Sequence, residues 1–283
     1  MNRFITILLL VLSAATASAQ KAADWRDLLT IVDDNNRTVY YERESHKPLK
    51  GEYRIKRGLD IEFVKLKDGV IDGDYRRYRN GELRESGKYV KGKREGDFTE
   101  YHSGGKTVRK TTPMKDGRID GVVRTYFSDG SLDTEKTYRM SVEHGAERRY
   151  DNATHRQVFE THYIDGKKEG EEWETADNGN GTQSRIVRHY ADGLLNGKYR
   201  NELTRDGKLI YLIEGEYLGG EKTGQWIEHN YEAGTASTSW PAAPATTWAW
   251  WGSTTWSASP ASRWRWRWAP SSGTWTRSWM STP

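Results

Sequence analysis

The chain has 283 residues and contains no cysteine, so no disulfide bond can stabilise it in any compartment. Hydrophobic residues make up only 35% of the sequence and charged residues 30%, which is a low apolar share for a domain with two packed layers. No window carries a convincing apolar stripe with helical spacing, and glycine recurs too often for helices of useful length. The composition therefore predicts an all-β chain, built as a thin sheet with one aromatic face and one solvated face.

Residue patterns that carry chemistry are also missing. The sequence has no Gly-x-Ser-x-Gly motif and no phosphate-binding loop, and its seven histidines are scattered without the spacing of metal ligands. Residues 177–181 resemble part of a calcium-binding loop, but they lack the oxygen ligands and the terminal Glu at the required offsets. A long hairpin turn is the better interpretation. These observations predict a protein that is not an enzyme, with no cofactor and no metal site.

An excess of charge of one sign is confined to the end of the chain. The last 49 residues contain four arginines and no acidic residue, and these arginines equal the whole net charge of +4. In the rest of the chain Lys and Arg are interleaved with Asp and Glu and are not gathered into a stripe. The sequence therefore predicts no binding of nucleic acid.

What the sequence has in abundance is one short repeat. The pattern Gly-x-x-x-Gly recurs in register at intervals of 23 to 27 residues, with a degenerate copy at Ser141/Gly145. Such a period indicates a repeat protein whose function lies on an extended surface. The six complete pairs are Gly69/Gly73, Gly92/Gly96, Gly117/Gly121, Gly166/Gly170, Gly193/Gly197 and Gly220/Gly224.

Aromatic and turn residues keep the same register. Aromatic residues stand three positions before many first glycines and two or three positions after many second glycines, and Asn-Gly or Asp-Gly dipeptides between them favour tight hairpin turns. This pattern predicts two short strands per repeat, one starting at the second glycine, in a continuous antiparallel meander. One turn is predicted at Asn178-Gly179. The predicted aromatic positions are Tyr75, Tyr89, Phe98, Tyr138, Tyr163, Trp173, Tyr190, Tyr199, Tyr217 and Trp226.

The tyrosines that precede the glycines are expected to be largely buried, because they are locked to the repeat register as a core would be. Polar residues that alternate with them in the same strand are expected to be exposed. Arg188, two residues before Tyr190, is an example.

Residues 89–98 (YVKGKREGDF) and 163–173 (YIDGKKEGEEW) resemble MORN repeats in their bacterial variant form. The resemblance covers about residues 38–234, and residues 40–53 resemble the divergent opening unit of such an array. It implies an elongated, single-layer antiparallel β-meander of about seven MORN-like hairpin repeats that functions in protein–protein or membrane-surface interaction; some bacterial members are antitoxin-like. In the fourth unit Ser141 replaces a glycine and Glu147 replaces an aromatic residue, so a local distortion is expected there.

The first residues have the features of a secretory signal peptide. Arg3 precedes an apolar run, and Ala17-Ser18-Ala19 forms a small-residue cleavage site. Residues 1–19 are therefore predicted to direct export, which places the protein in the periplasm or outside the cell. Residues 20–37 form an N-terminal segment, in which residues 22–32 are compatible with a short helix that caps the first hairpin.

Residues 235–283 are a different kind of sequence. They hold ten of the 13 tryptophans and contain no Leu, Ile or Val, and the repeat breaks at Gly234, where a return strand should follow. One interpretation is a disordered product of a shifted reading frame in a GC-rich gene, because the abundant residue types have G/C-rich codons. The other is a membrane-active tail, because alternating Arg and Trp suit an anionic lipid surface.

Three hypotheses for function follow. The first is a non-catalytic repeat scaffold in the bacterial envelope or extracellular space, with an unknown protein or a membrane surface as its partner. The second is an antitoxin-like neutralising protein, which is implied by the resemblance alone. The third is an enzyme with a dispersed site, for which the sequence offers no motif.

Overall fold

The computed structural model describes residues 20–240, 265–269 and 274–278, so the predicted signal peptide and much of the tail lie outside the described residues. Residues 20–240 belong to one compact unit and the two later segments to a second. The first unit is all-β. It contains an open, mostly antiparallel sheet of 20 strands in meander order and a separate sheet of two strands.

The N-terminal segment consists of strands and a single turn of 3₁₀ helix. Its elements are β1 (Lys21–Asp24), a 3₁₀ turn (Trp25–Asp27), β2 (Leu28–Val32) and β3 (Thr38–Glu42). The predicted capping helix is therefore wrong. Instead, β1 pairs in parallel with the first strand of the array, β4 (Gly51–Arg57), and satisfies the backbone groups that this edge would otherwise leave unpaired.

The array continues from β4 by antiparallel pairing of each long strand with the next. Three short strands of two residues each extend the hairpin ends. The remaining strands are β5 (Asp60–Lys67), β6 (Val70–Arg79), β7 (Glu82–Val90), β8 (Lys93–Tyr101), β9 (Val108–Lys115), β10 (Arg118–Ile119), β11 (Gly121–Tyr126), β12 (Leu132–Arg139), β13 (Val142–Tyr150), β14 (Gln157–Ile164), β15 (Lys167–Lys168), β16 (Gly170–Gly179), β17 (Thr182–Ala191), β18 (Leu194–Leu195), β19 (Gly197–Arg205), β20 (Lys208–Leu218), β21 (Glu221–Asn230) and β22 (Thr235–Ser239).

The two glycines of each repeat have different roles. The first glycine and the residue before it both have positive φ, as at Lys91 (50°) and Gly92 (83°), and this is what a two-residue type I′ hairpin turn requires. The second glycine also has positive φ but lies where the strand pairing shifts register, as at Gly96 (73°).

The prediction that a strand begins at each second glycine is confirmed in three repeats and wrong in the others. Strands β11, β16 and β19 begin at this glycine. In the other repeats the strand begins directly after the turn, so the second glycine lies inside it. These internal glycines are Gly73 in β6, Gly96 in β8, Gly145 in β13 and Gly224 in β21.

Gly224, like Gly96, is an internal glycine against which no side chain packs. It is exposed, with a φ of 61°, and a Cβ atom there would have no neighbour within 4 Å. It lies in β21 opposite the register shift between Glu214 and Glu216. Gly224 is therefore required by the backbone of this bulge and neither by a strand start nor by close packing.

Two further predictions about turns need correction. The fifth hairpin turns at Asn180-Gly181 and not at Asn178-Gly179, because β16 continues through residue 179 and only the later pair has the φ values of a two-residue turn, 51° and 69°. In the fourth unit Ser141 takes a φ of 71° and its N–H makes the same hydrogen bond as the glycines of the other turns, to the carbonyl of Ile119 at 2.7 Å. The distortion expected there is absent.

A second layer covers the N-terminal end of the array. β2 and β3 pair with each other and not with β4, so the expected opening unit at residues 40–53 does not simply extend the meander. Leu28, Tyr40 and Leu49 pack with residues of β4 to β8 in the buried core. Gly69 lies against this layer, where a Cβ atom would be 2.6 Å from Val39 Cγ1, so the close approach requires glycine.

The tail contributes regular structure in the described segments. Residues 235–239 form β22, which pairs with β21 and supplies a return strand where the break at Gly234 predicts none. In the second unit β23 (Arg265–Ala269) and β24 (Thr274–Ser278) form an antiparallel hairpin. The expectation that the whole tail lacks regular structure is therefore wrong for these three strands. The other residues of the tail after residue 240 lie outside the described residues.

Candidate functional site

One face of the array carries a continuous row of side chains, one from each long strand from β4 to β21. We call it the inner row. It contains the residue two positions after each second glycine and the residues that lie between these positions on the intervening strands. Nine of its 15 members are buried, so this is where neighbouring repeats hold one another. The inner row consists of Tyr53, Val64, Tyr75, Gly87, Phe98, Thr112, Val123, Lys136, Glu147, Thr161, Glu172, Arg188, Tyr199, Gly215 and Trp226.

Towards each end, the inner row builds the same aromatic cluster. In the N-terminal triad, Tyr75, Tyr89 and Phe98 have ring centroids 5.4 to 6.5 Å apart, with interplanar angles of 67°, 34° and 86°. The C-terminal triad has centroids 5.2 to 5.8 Å apart and angles of 75°, 35° and 84°. Its members are Tyr199, Tyr217 and Trp226.

Both triads rest on a glycine and lie under a cation. The last ring of the N-terminal triad, Phe98, lies against Gly87, where a Cβ atom would be 2.6 Å from the ring; Arg94 Cζ is 4.6 Å from the ring centroid. In the C-terminal triad Gly215 and Lys222 take these places, with Lys222 Nζ 4.1 Å from the centroid of Trp226. The chain therefore repeats a whole side-chain arrangement, including its cation–π contact.

In the middle of the row the aromatic positions are acidic. Glu172 is 1% exposed and binds Lys168 Nζ, Arg188 Nη1 at 2.7 Å and the hydroxyl of Tyr190 at 3.3 Å. Burial by itself would raise the pKa of Glu172, but hydrogen bonds from Lys168 and Arg188 hold it below its usual value. The expectation that Arg188 is an exposed polar site is therefore wrong, because its side chain is 25% exposed and pairs with Glu172.

The neighbouring repeat uses the same substitution. Glu147 forms an ion pair with Lys136 at 3.0 Å and accepts a hydrogen bond from the hydroxyl of Tyr163 at 3.1 Å. Lys136 also pairs with Glu143 at 2.6 Å, and these hydrogen bonds raise its pKa although burial opposes them. We call Glu147 and Glu172, with their cations, the acidic centre.

The predicted aromatic positions divide into two sets. Tyr75, Phe98 and Trp226 are buried in the inner row, and Tyr199 is a half-buried member of it. Trp173 is not in the row: Glu172 occupies the position, so Trp173 faces the other side and pairs with Glu160 and Val187. The tyrosines before the glycines lie beside the row and are of intermediate exposure, so they are packed but do not belong to its buried positions; they are Tyr89, Tyr138, Tyr163, Tyr190 and Tyr217.

The hairpin turns at one edge of the sheet are tied to one another along the array. The N–H of each turn residue at the first-glycine position donates to a carbonyl of the preceding repeat, with N–O distances of 2.7 to 3.0 Å, as from Gly92 to Ile71 and from Gly166 to Glu143. In four repeats the residue before the second glycine also accepts a hydrogen bond from the next turn, as when Asp72 accepts from the N–H of Lys91 at 3.1 Å.

Sequence reasoning about the glycines missed these acceptors, although a signal was present. An acidic residue stands directly before the second glycine at Asp72, Glu95, Asp120 and Glu169. The three residues between the two glycines are therefore not a neutral spacer, since they hold the turns in line.

The same edge presents aliphatic side chains to solvent. Because side chains alternate along a strand, they point away from the inner row. They lie in the last cross-strand pair before each turn, as in Val90 with Lys93 and Ile164 with Lys167. Neighbouring hairpins are two strands, or about 10 Å, apart. The hairpin between those of Val90 and Val142 contributes no aliphatic residue, because Lys115 and Arg118 form its last pair. We call this set the rim row; its members are Val90, Val142, Ile164, Leu194 and Leu218, all 41% exposed or more.

Within residues 20–240, 265–269 and 274–278, no three His, Asp or Glu side chains are grouped so that they could hold a metal ion. No helix in this part of the chain is long and apolar enough to cross a membrane. Comparison with known proteins gives no family: no family model matches the chain, and no curated protein matches it. The long sheet of antiparallel hairpins is that of a β-hairpin repeat protein.

Proposed function

We propose that the chain is an exported, non-catalytic scaffold of the MORN-variant type, and that its rim row binds a protein partner. The resemblance in the glycine and aromatic register supports the MORN assignment, and residues 1–19 support export. The inner row is occupied with holding the repeats together, so the surface left for a partner lies elsewhere.

The observation that carries this proposal is the exposure of an aliphatic residue beside five of the seven hairpin turns on this edge. Single exposed aliphatic residues are ordinary on a protein surface, but these five all belong to the last cross-strand pair beside a turn and lie along one edge. Cations beside them are neutralised by the following turn, as in Lys167 with Asp192 at 2.6 Å and Arg139 with Asp165 at 2.5 Å. A row of apolar contacts with balanced charge suits a protein surface better than a polyanion.

The test uses the full-length protein expressed with an affinity tag in its native host. Complexes are cross-linked in the cell envelope fraction and captured from wild type, from the triple variant Ile164→Ser/Leu194→Ser/Leu218→Ser, and from Leu59→Ser. Leu59 is the matched control, because it is 68% exposed but lies in a turn at the opposite edge of the sheet.

We expect at least one cross-linked partner that is captured by wild type and by Leu59→Ser and is lost in the triple variant. Melting temperatures of the three proteins should agree closely, since all four side chains are largely exposed. Identical captures from all three proteins would show that the rim row is not the binding surface. Protein retained in the cytoplasm would contradict export.

A further inference from the structure

A cleft lies between the N-terminal layer and the inner face of the array. Its volume is about 390 Å³, within the size range of small-molecule sites. Four aromatic residues line it: Trp25 and Tyr40 from the N-terminal layer, and Tyr75 and Tyr89 from the array. Burial raises the pKa of Tyr40 to about 12 and also raises that of Tyr75. Both phenols therefore remain neutral at physiological pH and offer ring faces without a charge.

The charged residues in the lining are Arg57 and Glu62. Neighbouring charges are already matched: Asp60 pairs with Arg79 at 2.7 Å, and Glu85 with Arg77 at 3.2 Å and with Arg94 at 2.9 Å. Among residues 20–240, no hydrogen bond or ion pair involves the Arg57 guanidinium or the Glu62 carboxylate. One cation and one anion thus face the same aromatic cleft, and neither has a hydrogen-bonded or ion-paired partner.

Both groups are arranged to receive a ligand. The guanidinium of Arg57 lies over the ring of Trp25, with Cζ 3.2 Å from the centroid, and this stacking leaves its N–H edge available for a carboxylate. Glu62 is half-buried, and desolvation raises its pKa although Arg57 and Arg77 oppose the shift. A cation at Glu62 would replace lost solvation and would also contact the negative faces of the tyrosine rings.

The strand register places the two charged residues diagonally across β4 and β5. Glu62 is directly opposite Ile55, and Arg57 follows two residues later on the same face. Diagonal neighbours of this kind have backbones about 7 Å apart, which leaves room for a small molecule between the two side-chain ends.

We propose that this cleft binds a small zwitterion, with its ammonium group at Glu62 against the tyrosine rings and its carboxylate at Arg57. An α-amino acid and a betaine share this chemistry. The cleft carries no net charge from its two unpartnered groups, so a ligand with both charges satisfies both of them. A simple cation or a simple anion leaves one without a partner.

The test is calorimetric titration of the full-length protein at low salt. Glycine betaine and L-phenylalanine are the two zwitterionic probes and distinguish a quaternary from a primary ammonium, whereas tetramethylammonium and acetate each carry one half of the chemistry. We expect at least one zwitterion to bind with a Kd of about 0.1 to 1 mM, and each half-ligand to bind at least tenfold more weakly. Binding of tetramethylammonium as tight as that of the zwitterions, or no binding of either zwitterion at 10 mM, would overturn the proposal.

Variants assign the binding to the cleft. Glu62→Gln and Arg57→Gln should each weaken binding about tenfold or more, because each removes a charge-assisted hydrogen bond. Glu52→Gln and Arg54→Gln are the matched controls, since both residues are exposed on the same strand as Arg57 and should leave the Kd unchanged. Melting curves check that each variant is folded, and Arg57→Lys, which keeps the charge but loses the planar fork, should give an intermediate Kd. Equal loss in the control variants would show that binding is elsewhere.

Discussion

The aromatic triads and the acidic centre occupy equivalent positions of one inner row, yet the triads hold the repeats together by aromatic packing and the acidic centre by ion pairs. In the triads a ring lies over glycine, as Phe98 does over Gly87. In the acidic centre a carboxylate lies beside a cation in the neighbouring strand, as Glu172 does beside Arg188. The position is therefore specified by its cross-strand neighbour and not by a fixed residue type. A repeat can exchange an aromatic residue for an acid when the adjacent strand changes with it.

The largest effect should come from removing a triad ring. Phe98 is 2% exposed and contacts both Tyr75 and Tyr89. Phe98→Ala should destabilise the protein by about 4 kcal/mol, because it leaves a cavity among Tyr75, Tyr89 and Gly87. Denaturant unfolding measures this. The control is Phe63→Ala. Phe63 is half-buried on the opposite face, so its loss should destabilise the protein clearly less. Equal losses of stability would show that the triad contributes no more than an aromatic residue outside it.

The next effect tests the acidic centre. Arg188→Met removes one partner of buried Glu172 and leaves Lys168, so we expect a loss of about 2 kcal/mol at pH 7. Arg188→Met/Glu172→Leu should recover much of that loss, because the uncompensated charge is gone. Failure of the double variant to recover would mean that packing of Arg188, and not its charge, holds this site.

The pH dependence of the same variant has a defined sign. The folded pKa of Glu172 lies below its unfolded value, so the ion pair contributes stability above the unfolded pKa of about 4.3, and that contribution is lost as the pH falls through the folded pKa. The difference in unfolding free energy between wild type and Arg188→Met should therefore shrink as the pH falls from about 5 to 3. A difference that stays constant across this range would exclude the charge of Glu172 as its cause.

A smaller effect should follow from adding one methyl group beneath a triad. A Cβ atom at Gly215 would collide with the ring of Trp226, so Gly215→Ala should cost about 1 to 2 kcal/mol. In a Trp226→Leu background the same change should cost less, because the smaller side chain vacates that space. Additive effects in this double-mutant cycle would show that the glycine is required for another reason.

These comparisons also show what the sequence could and could not predict. The turn glycines and the meander follow from local chemistry, because positive φ at two adjacent positions selects a few residue types. The inward position of Glu172 does not follow from local chemistry, because its neighbour Trp173 is the more hydrophobic residue. Only the bulge at Gly170 decides which of the two side chains faces inward. The secondary structure of the N-terminal segment could not be predicted from its local sequence for a similar reason. Residues 22–32 suit a helix or a strand. The unpaired edge of β4 selects the strand for β1, and pairing with β3 selects it for β2.

The smallest effect concerns Ser141, the residue that replaces a turn glycine. Its φ of 71° costs a non-glycine residue about 1 kcal/mol, but its Oγ accepts a hydrogen bond from the N–H of Ile119 at 3.0 Å, which contributes a similar amount. Ser141→Gly removes both the backbone strain and the hydrogen bond, so the free energy of unfolding should change by less than about 0.5 kcal/mol. Ser141→Ala keeps the strain and loses the hydrogen bond, so it should cost about 1 kcal/mol. Thermal unfolding of both variants checks the balance: a clear gain in Ser141→Gly would mean that the hydrogen bond is weak, and no loss in Ser141→Ala would lead to the same conclusion.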